Sequence, residues 1–334
     1  MGRLSANTWP KGLWTVAPSV HGSRSPQRQP CSNAQCFESW NIQARFDVIY
    51  GKSREHHNMP RRQVITVIAI VIGAALSATP VNPAQTFDHN YLAYARVLSD
   101  FLVGHRVDYK RLAKNRGGLD DASEELSAVS AVALNGWTRE QRLAYWINAY
   151  NLLTLRVIVD HYPIQGSWFS VYPRNSIRQI DGVWDEITWQ VGGRTLTLDE
   201  IEHRILRPRF NEPLIHFAIN CAAVSCPPLR DEPYRADTLV AQLADSTRKA
   251  LARENWLQLD GNTLYLTAIL DWFSEDFVSS FADEIDTERP EGTRALLGLV
   301  AAYGPPEAAS LTRVRTLKIR FLKYDWSLND VCGN

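Results

Sequence analysis

Apolar residues are densest at residues 138–161, where they occupy nearly every face of a helix. A helix that is apolar all round is buried on all sides. This segment therefore predicts the central helix of the core, and Pro163, which lacks a backbone N–H, ends it. The residues that define it are Leu143, Trp146, Ile147, Tyr150, Leu153, Leu155, Val157 and Ile158.

Five further segments have apolar residues at the three- and four-residue spacing of amphipathic helices. These segments are residues 87–103, 120–133, 235–253, about 268–278 and 291–302.

Two pairs of short alternating segments predict β-hairpins. Apolar and polar residues alternate at 187–191 before Gly192-Gly193, and the apolar pattern resumes at 195–198. A second pair flanks Asp260-Gly261-Asn262. Glycine accepts the positive φ that a two-residue hairpin turn requires, which makes both signals specific.

The first hairpin leads into a capped helix. Thr197-Leu198-Asp199-Glu200 has the Thr-x-x-Glu spacing of a capping box, which predicts a helix over Glu200–Leu206 that Pro208 ends. Residues 318–324 predict a last strand. Because helices and hairpins do not alternate as βαβ units, the expected fold is α+β, a single mixed domain with a buried central helix and β-hairpins.

The N-terminal part resembles a signal peptide. Met59-Pro60-Arg61-Arg62 is a basic start, and 13 residues from Val64 to Leu76 are apolar except for Thr66. Small residues follow, so 59–84 predicts a cleaved signal, with a buried helix or an uncleaved anchor as alternatives. We expect translation to start at Met59, residues 1–58 to be a non-native or disordered extension, and 85–334 to be the folded domain.

Charge supports this division. The chain has 36 basic and 36 acidic residues, but residues 1–58 have seven basic and three acidic ones. After the signal, 27 basic and 33 acidic residues remain, a net charge of −6. We therefore expect a periplasmic or secreted protein that does not bind nucleic acid and has no integral membrane span after cleavage. Its partners cannot be named from the sequence.

Candidate chemistry is concentrated between Ile215 and Leu229. His216, Asn220, Cys221 and Cys226 lie within eleven residues, in apolar surroundings. On either a helix or a strand, His216 and Asn220 would share a face. An oxidising compartment would allow Cys221, Cys226 and Cys332 one disulfide and one thiol.

Several ordered motifs together resemble the domain-of-unknown-function 547 family over about residues 90–330. They are Tyr145–Asn151, Gly193 with Leu198–His203, His216–Leu229, Ile269–Phe273 and Lys323–Ser327. The family has exported bacterial members, and the resemblance implies no established reaction. It draws attention, without assigning roles, to Asn148, Asn151, His203, His216, Asn220, Cys221 and Cys226.

Two functions are compatible with these residues. In the leading hypothesis the protein is a thiol-dependent hydrolase or acyl-transfer enzyme, with Cys221 as nucleophile and His216 or His203 as base. Asn220, Asn148 or Asn151 would orient the base or bind an oxyanion, and Cys226 would contribute to binding. In the alternative the same residues form a structural polar network and a disulfide in a non-catalytic envelope binding or assembly module.

A zinc site built from the two histidines and the two cysteines is a third interpretation. Their spacing matches no zinc-ribbon or zinc-finger pattern, and the sequence lacks a His-Glu-x-x-His motif. No segment resembles a phosphate loop or a dinucleotide fingerprint. We therefore expect neither a metal nor another cofactor.

The signal-peptide interpretation predicts a processed N-terminus. When the chain is expressed from Met59, the mature protein should accumulate outside the cytoplasm, with a first residue between about Ala78 and Gln85. N-terminal sequencing of the exported protein measures this directly. Mature protein that retains residues upstream of Met59 would contradict both the start site and the cleavage.

Overall fold

The structure is a computed structural model that describes residues 87–285 and 288–331. It has the expected α+β architecture, with many helices and a few short strands in small sheets. The predicted extension and signal peptide lie outside the described residues. Within them, no helix is both long and apolar enough to cross a membrane.

The central helix forms as predicted, over Arg139–Asp160. Thr138 and Gln141 form a capping box at its start, so two N–H groups that lack helical partners are satisfied. Nearly every residue from Leu143 to Val159 is buried, and other elements cover it on all sides.

Four helices and one hairpin precede this central helix. In chain order they are α1 (Leu92–Phe101), β1 (Leu102–Val103), β2 (Arg106–Val107), α2 (Tyr109–Lys114), α3 (Gly117–Ser127) and α4 (Ala131–Asn135), so that the central helix is α5. The single helix expected at 120–133 is two helices, because the Ser130 side chain caps α4 and starts a new helix there.

The predicted hairpins are both present. β3 (Trp189–Val191) pairs with β4 (Arg194–Leu196) around Gly192 and Gly193, which have φ of 59° and 70°. β5 (Leu257–Asp260) pairs with β6 (Thr263–Leu266). The last strand, β7 (Lys318–Phe321), joins β6 in parallel and completes a three-stranded sheet.

The helix after the first hairpin is longer than expected and changes type. Its capping box is present, and α6 (Leu198–Glu200) continues into a π-helical segment, Ile201–Leu206, and then α7 (Arg207–Phe210). Pro208 therefore does not end the helix. It lies in the first turn of α7, where a missing N–H is tolerated.

The remaining helices follow α7 in the chain. They are α8 (Leu239–Leu251), α9 (Ala268–Trp272), α10 (Val278–Phe281), α11 (Glu291–Tyr303) and α12 (Pro306–Leu311). Short 3₁₀ turns include Pro213–Phe217 and Ser274–Phe277. The segment expected to be a regular helix or strand near His216 is thus a 3₁₀ turn followed by an irregular loop.

The two hairpin turns provide a matched test of the packing. Gly193→Ala and Gly261→Ala both place a side chain at positive φ, which costs about 1–2 kcal/mol. A Cβ on Gly261 meets nothing within 4 Å, whereas one on Gly193 would lie 2.3 Å from the Ala131 nitrogen. We expect Gly193→Ala to destabilise the fold by roughly 2 kcal/mol more than Gly261→Ala in urea unfolding. Equal losses would show that the β3–β4 turn does not pack tightly on α4.

Candidate functional site

The π-helical segment places two titratable side chains inside the protein. Glu202 and His203 are both buried, and Arg207 follows in the next turn. Short π-helical segments are rare, and they are frequent at functional sites. Burial of adjacent ionisable residues costs free energy unless other groups compensate for the lost hydration.

Arg207 and His216 meet at one carboxylate, that of Asp276. The Arg207 guanidinium donates two hydrogen bonds to it, from Nε to Oδ2 (2.6 Å) and from Nη2 to Oδ1 (2.8 Å). His216 Nε2 lies 2.8 Å from the same Oδ2. A carboxylate that accepts from both residues fixes the plane of the imidazole and carries its negative charge beside a cation.

The hydrogen bonds define the pKa of Asp276. Burial opposes ionisation of this carboxyl, but the hydrogen bonds from Arg207 and His216 outweigh it and lower its pKa below the usual range. Asp276 is therefore ionised at neutral pH. Because a carboxylate can only accept, His216 Nε2 carries the proton and Nδ1 has the lone pair.

His216 is held as a neutral imidazole. Burial is the main cause that lowers its pKa, and Arg207 acts in the same direction, against the favourable effect of Asp276. Phe273 stacks on the ring at a centroid distance of 4.4 Å, and the Arg207 guanidinium lies 4.8 Å from the same phenyl ring. A neutral, oriented imidazole with a free lone pair is suited to accept a proton.

His203 has a different environment. Arg207 Nη1 donates to its Nδ1 at 3.1 Å, so the lone pair of that nitrogen is occupied and the proton is on Nε2. Burial and the adjacent guanidinium lower its pKa to about 3. The predicted role of base is therefore better suited to His216 than to His203.

Glu202 has the opposite shift. Burial raises the pKa of its carboxyl to about 8, with Asp199 and Asp276 contributing and Arg207 opposing. Tyr150 lies beside it, although neither carboxyl oxygen makes a hydrogen bond of regular geometry among the described residues. Glu202 is consequently protonated at neutral pH and can donate a proton.

The cysteine loop forms a second centre. Cys221 and Cys226 are joined in a disulfide, and the Tyr324 hydroxyl lies 3.2 Å and 3.3 Å from their two sulfurs. In this oxidised state neither sulfur is a thiolate, so Cys221 as nucleophile stays a prediction for the reduced protein. The bond also removes both sulfurs from the zinc-ligand set considered for the sequence.

The side-chain amides of the three asparagines form hydrogen bonds with backbone groups. Asn148 donates to the Tyr234 carbonyl and accepts from the Tyr234 N–H. Asn151 does the same between the Ala218 carbonyl and the Asn220 N–H. The Asn220 side chain donates to Pro227 and accepts from Ala222. These contacts favour the structural-network interpretation of the asparagines over an oxyanion role.

His216 and Asn220 thus do not act together, because the histidine contacts Asp276 and the asparagine contacts α5 and the cysteine loop. The two centres are linked through Glu202, whose carboxyl acts electrostatically on both Tyr150 and Tyr324. Tyr324 in turn contacts the disulfide. The candidate site is therefore one buried polar region. The charged cluster, which consists of Glu202, His203, Arg207, His216 and Asp276, lies at one side, and the cysteine loop, residues 221–226, lies at the other.

Sequence reasoning missed four members of this region, namely Glu202, Arg207, Asp276 and Tyr324. Glu202 had no visible signal, since it lies in a polar stretch with Asp199, Glu200 and Arg204. Asp276 had a weak one, since it is flanked by the aromatic residues Phe273 and Phe277. Nothing near His216 or Cys221 in the sequence indicates that Asp276 and Tyr324 contact them in the fold.

Comparison with known proteins adds one finding. Residues 134–250 match the model of a family described as "Protein of unknown function, DUF547". The matched segment contains α5, the π-helical segment, the His216 turn and the cysteine loop. No curated protein and no solved structure matches the chain.

The pKa of Glu202 predicts a pH dependence of stability. The folded state retains this proton up to about pH 8, whereas the unfolded chain loses it near 4.5. The free energy of unfolding therefore falls as pH rises through this window, by at most about 1.4 kcal/mol per pH unit. His203, with a pKa lowered from 6.5 to about 3, has the opposite slope below pH 6.5. The Glu202 effect is isolated between pH 6.5 and 8.

We expect Glu202→Gln, which resembles the protonated acid, to flatten this decline in urea unfolding measured from pH 6.5 to 8. Glu254→Gln, at an exposed position, is the matched control and should leave the slope unchanged. Parallel curves for the wild type and Glu202→Gln would mean that Glu202 is already ionised in the folded protein.

Proposed function

Residues 134–250 match the domain-of-unknown-function 547 family, and from this premise we propose that the chain is a hydrolase or acyl-transfer enzyme. Its base is His216, oriented by Asp276, and its acid is Glu202. The family name supplies no reaction, so the proposal depends on the geometry of the charged cluster.

One observation supports the proposal most directly. Two titratable groups in one cluster have pKa values displaced in opposite directions, with His216 lowered and Glu202 raised to about 8. Both interact with Arg207. Environments that separate the pKa values of neighbouring groups in this way are the usual means of assigning a base and an acid at neutral pH.

The proton transfers follow from the tautomers. His216 Nδ1 accepts a proton from the attacking nucleophile, and the resulting imidazolium is stabilised through Nε2–H by Asp276. Glu202 donates its proton to the leaving group. The nucleophile is water or, in the reduced protein, a cysteine thiol of the 221–226 loop. Acid–base catalysis of this kind contributes a factor of about 10²–10⁴ to a rate.

The cluster is connected to the surface at one side. The side chains of Arg207 and Asp276 are 21% and 23% exposed, whereas that of His216 is 2% exposed. A substrate that approaches from this side meets the guanidinium first. Arg207 would therefore attract a carboxyl or carbonyl group of the substrate to the entrance.

The non-catalytic module is the second candidate, and the asparagine contacts support it. Asn148, Asn151 and Asn220 use their amides on backbone groups, and the cysteines form a disulfide. In this interpretation the charged cluster is a buried ion-pair network that fixes the packing of α7 against the Ser274–Phe277 turn.

We also propose that the protein acts in the periplasm or is secreted. The basic and apolar segments at Met59–Leu76 support export, and so does the disulfide, because such bonds persist in oxidising compartments.

Hydrolysis of chromogenic ester, thioester and amide substrates by the mature protein tests the enzyme proposal. The rate should depend on pH as a bell, with an acidic limb below 6.5 from His216 and an alkaline limb near 8 from Glu202. His216→Gln should reduce the rate at least about 10²-fold, and Glu202→Gln should remove the alkaline limb.

Asp237→Asn, at a side chain 74% exposed, is the control for a lost carboxylate and should retain full activity. His216→Gln preserves the Arg207–Asp276 pair, so its fold can be checked by thermal unfolding. Folded wild-type protein without turnover on any substrate of the panel, with and without a reductant, would favour the module.

A further inference from the structure

Three hydrogen-bond donors converge on the sulfur of Cys226. The backbone N–H groups of Cys221 and Ala223 lie 3.2 Å and 3.1 Å from Sγ, and the Tyr324 hydroxyl lies 3.3 Å from it. Among the described residues, Cys221 Sγ has one such neighbour, the Tyr324 hydroxyl at 3.2 Å. The environments of the two sulfurs are therefore unequal.

The backbone conformation produces this convergence. Ala222 has φ of 61°, a left-handed conformation that is uncommon for a residue other than glycine. A left-handed residue within a turn directs the N–H groups on either side of it toward one point, which forms an anion-binding nest. Here the point is occupied by Cys226 Sγ, and the Ala222 N–H is satisfied separately by Asn220 Oδ1.

The nest is held independently of the disulfide. Backbone hydrogen bonds join the loop to the C-terminal segment, residues 325–331. The Asn329 N–H donates to the Ala222 carbonyl, and the Ser327 carbonyl accepts from the Val224 N–H. On the other side, Asn151 on α5 holds the Asn220 N–H. Reduction of the S–S bond leaves these hydrogen bonds in place, so the donors should still face Cys226.

We propose that Cys221 and Cys226 form a thiol–disulfide exchange centre in which Cys226 is the stabilised thiolate. Hydrogen bonds to the ionised form of a group favour ionisation, and they counter the effect of burial on this thiol. The centre would react with an external dithiol or with the disulfide that the dithiol forms. The inference does not depend on the hydrolase proposal, because it involves neither His216 nor Asp276.

The donors also determine the direction of exchange. An external thiolate attacks Cys221 Sγ, the S–S bond breaks, and its electron pair leaves on Cys226, where three donors receive it. A thiol that is stabilised as its anion is the better leaving group. The second thiol of the reductant then releases Cys221, so the dithiol is oxidised by two electrons and the protein disulfide is reduced. Both cysteines are buried, with exposed fractions of 4% for Cys221 and 1% for Cys226, so the unequal donors and not access select the sulfur that is attacked.

The other ionisable groups near the pair are few. Tyr324 contacts both sulfurs, and Glu202 and Asp325 act on Tyr324. Burial raises the pKa of Tyr324, so its hydroxyl stays protonated and donates. Glu202 is neutral at pH 7 and adds no negative charge to this side of the sulfurs.

Two single-thiol variants test the assignment. In the full chain with Cys31, Cys36 and Cys332 replaced by serine, Cys221→Ser leaves Cys226 alone and Cys226→Ser leaves Cys221 alone. The ultraviolet absorbance of the thiolate against pH reports ionisation without requiring access of a reagent. We expect the midpoint of Cys226 to lie at least about one unit below the ordinary value of about 8.5, and that of Cys221 at or above it.

Tyr324→Phe removes one donor and should raise the Cys226 midpoint, whereas Tyr265→Phe, away from the loop on β6, should not. A Cys226 midpoint at or above that of Cys221 would overturn the assignment.

A trapping experiment tests the exchange itself. Folded oxidised protein treated with a small monothiol should form a mixed disulfide on Cys221, located by mass spectrometry of the alkylated protein. An adduct on Cys226, or reduction only after unfolding in urea, would contradict the proposal and identify the bond as structural. Either result leaves the test of His216 and Glu202 unaffected.

Discussion

A buried irregular segment is the constraint on which the rest of the structure depends. Residues 218–234 pass through the interior without helix or strand, and every buried N–H and C=O there must find a partner. Two asparagines of α5 provide partners by pairing with backbone as a neighbouring strand would. The C-terminal segment does the same from the other side. These contacts explain why amides lie within an otherwise apolar helix, and they allow a cysteine loop to be placed beside ionisable groups in the core.

In the charged cluster, burial is compensated in a different way. The two charged side chains form an ion pair, and the other three side chains are neutral. Arg207 and Asp276 form a bidentate pair, His203 and His216 are neutral, and Glu202 retains its proton. Removal of one partner from such a pair leaves an uncompensated buried charge and costs about 3–5 kcal/mol. The cluster is therefore stable only as a set. Among these five described residues, Glu202 is the one whose side chain makes no hydrogen bond of regular geometry.

The features that the sequence predicted well are those with local chemical causes. The Thr197–Glu200 capping box and the turns at Gly193 and Gly261 depend on residues within four positions of each other, and all three are present. The partners of His216 and Cys221 lie 60 and 103 positions away, so no periodicity could indicate them. The prediction that Pro208 ends the helix is wrong, because the helix changes type before it and Pro208 lies in the first turn of α7. The sequence indicated His203, His216 and the two cysteines. It missed Glu202, Arg207, Asp276 and Tyr324, because only the tertiary fold brings them to the site.

Glu202 connects the two centres electrostatically. It acts on Tyr324, whose hydroxyl lies within hydrogen-bond distance of both sulfurs, and it shares Arg207 with the His216–Asp276 pair. At neutral pH the protonated carboxyl adds no charge, so the thiolate of reduced Cys226 would be the one uncompensated negative charge in this region of the described structure. Above about pH 8 Glu202 ionises, and a second negative charge enters the same interior. The two ionisations would place like charges on either side of Tyr324, and like charges in one interior oppose each other's formation.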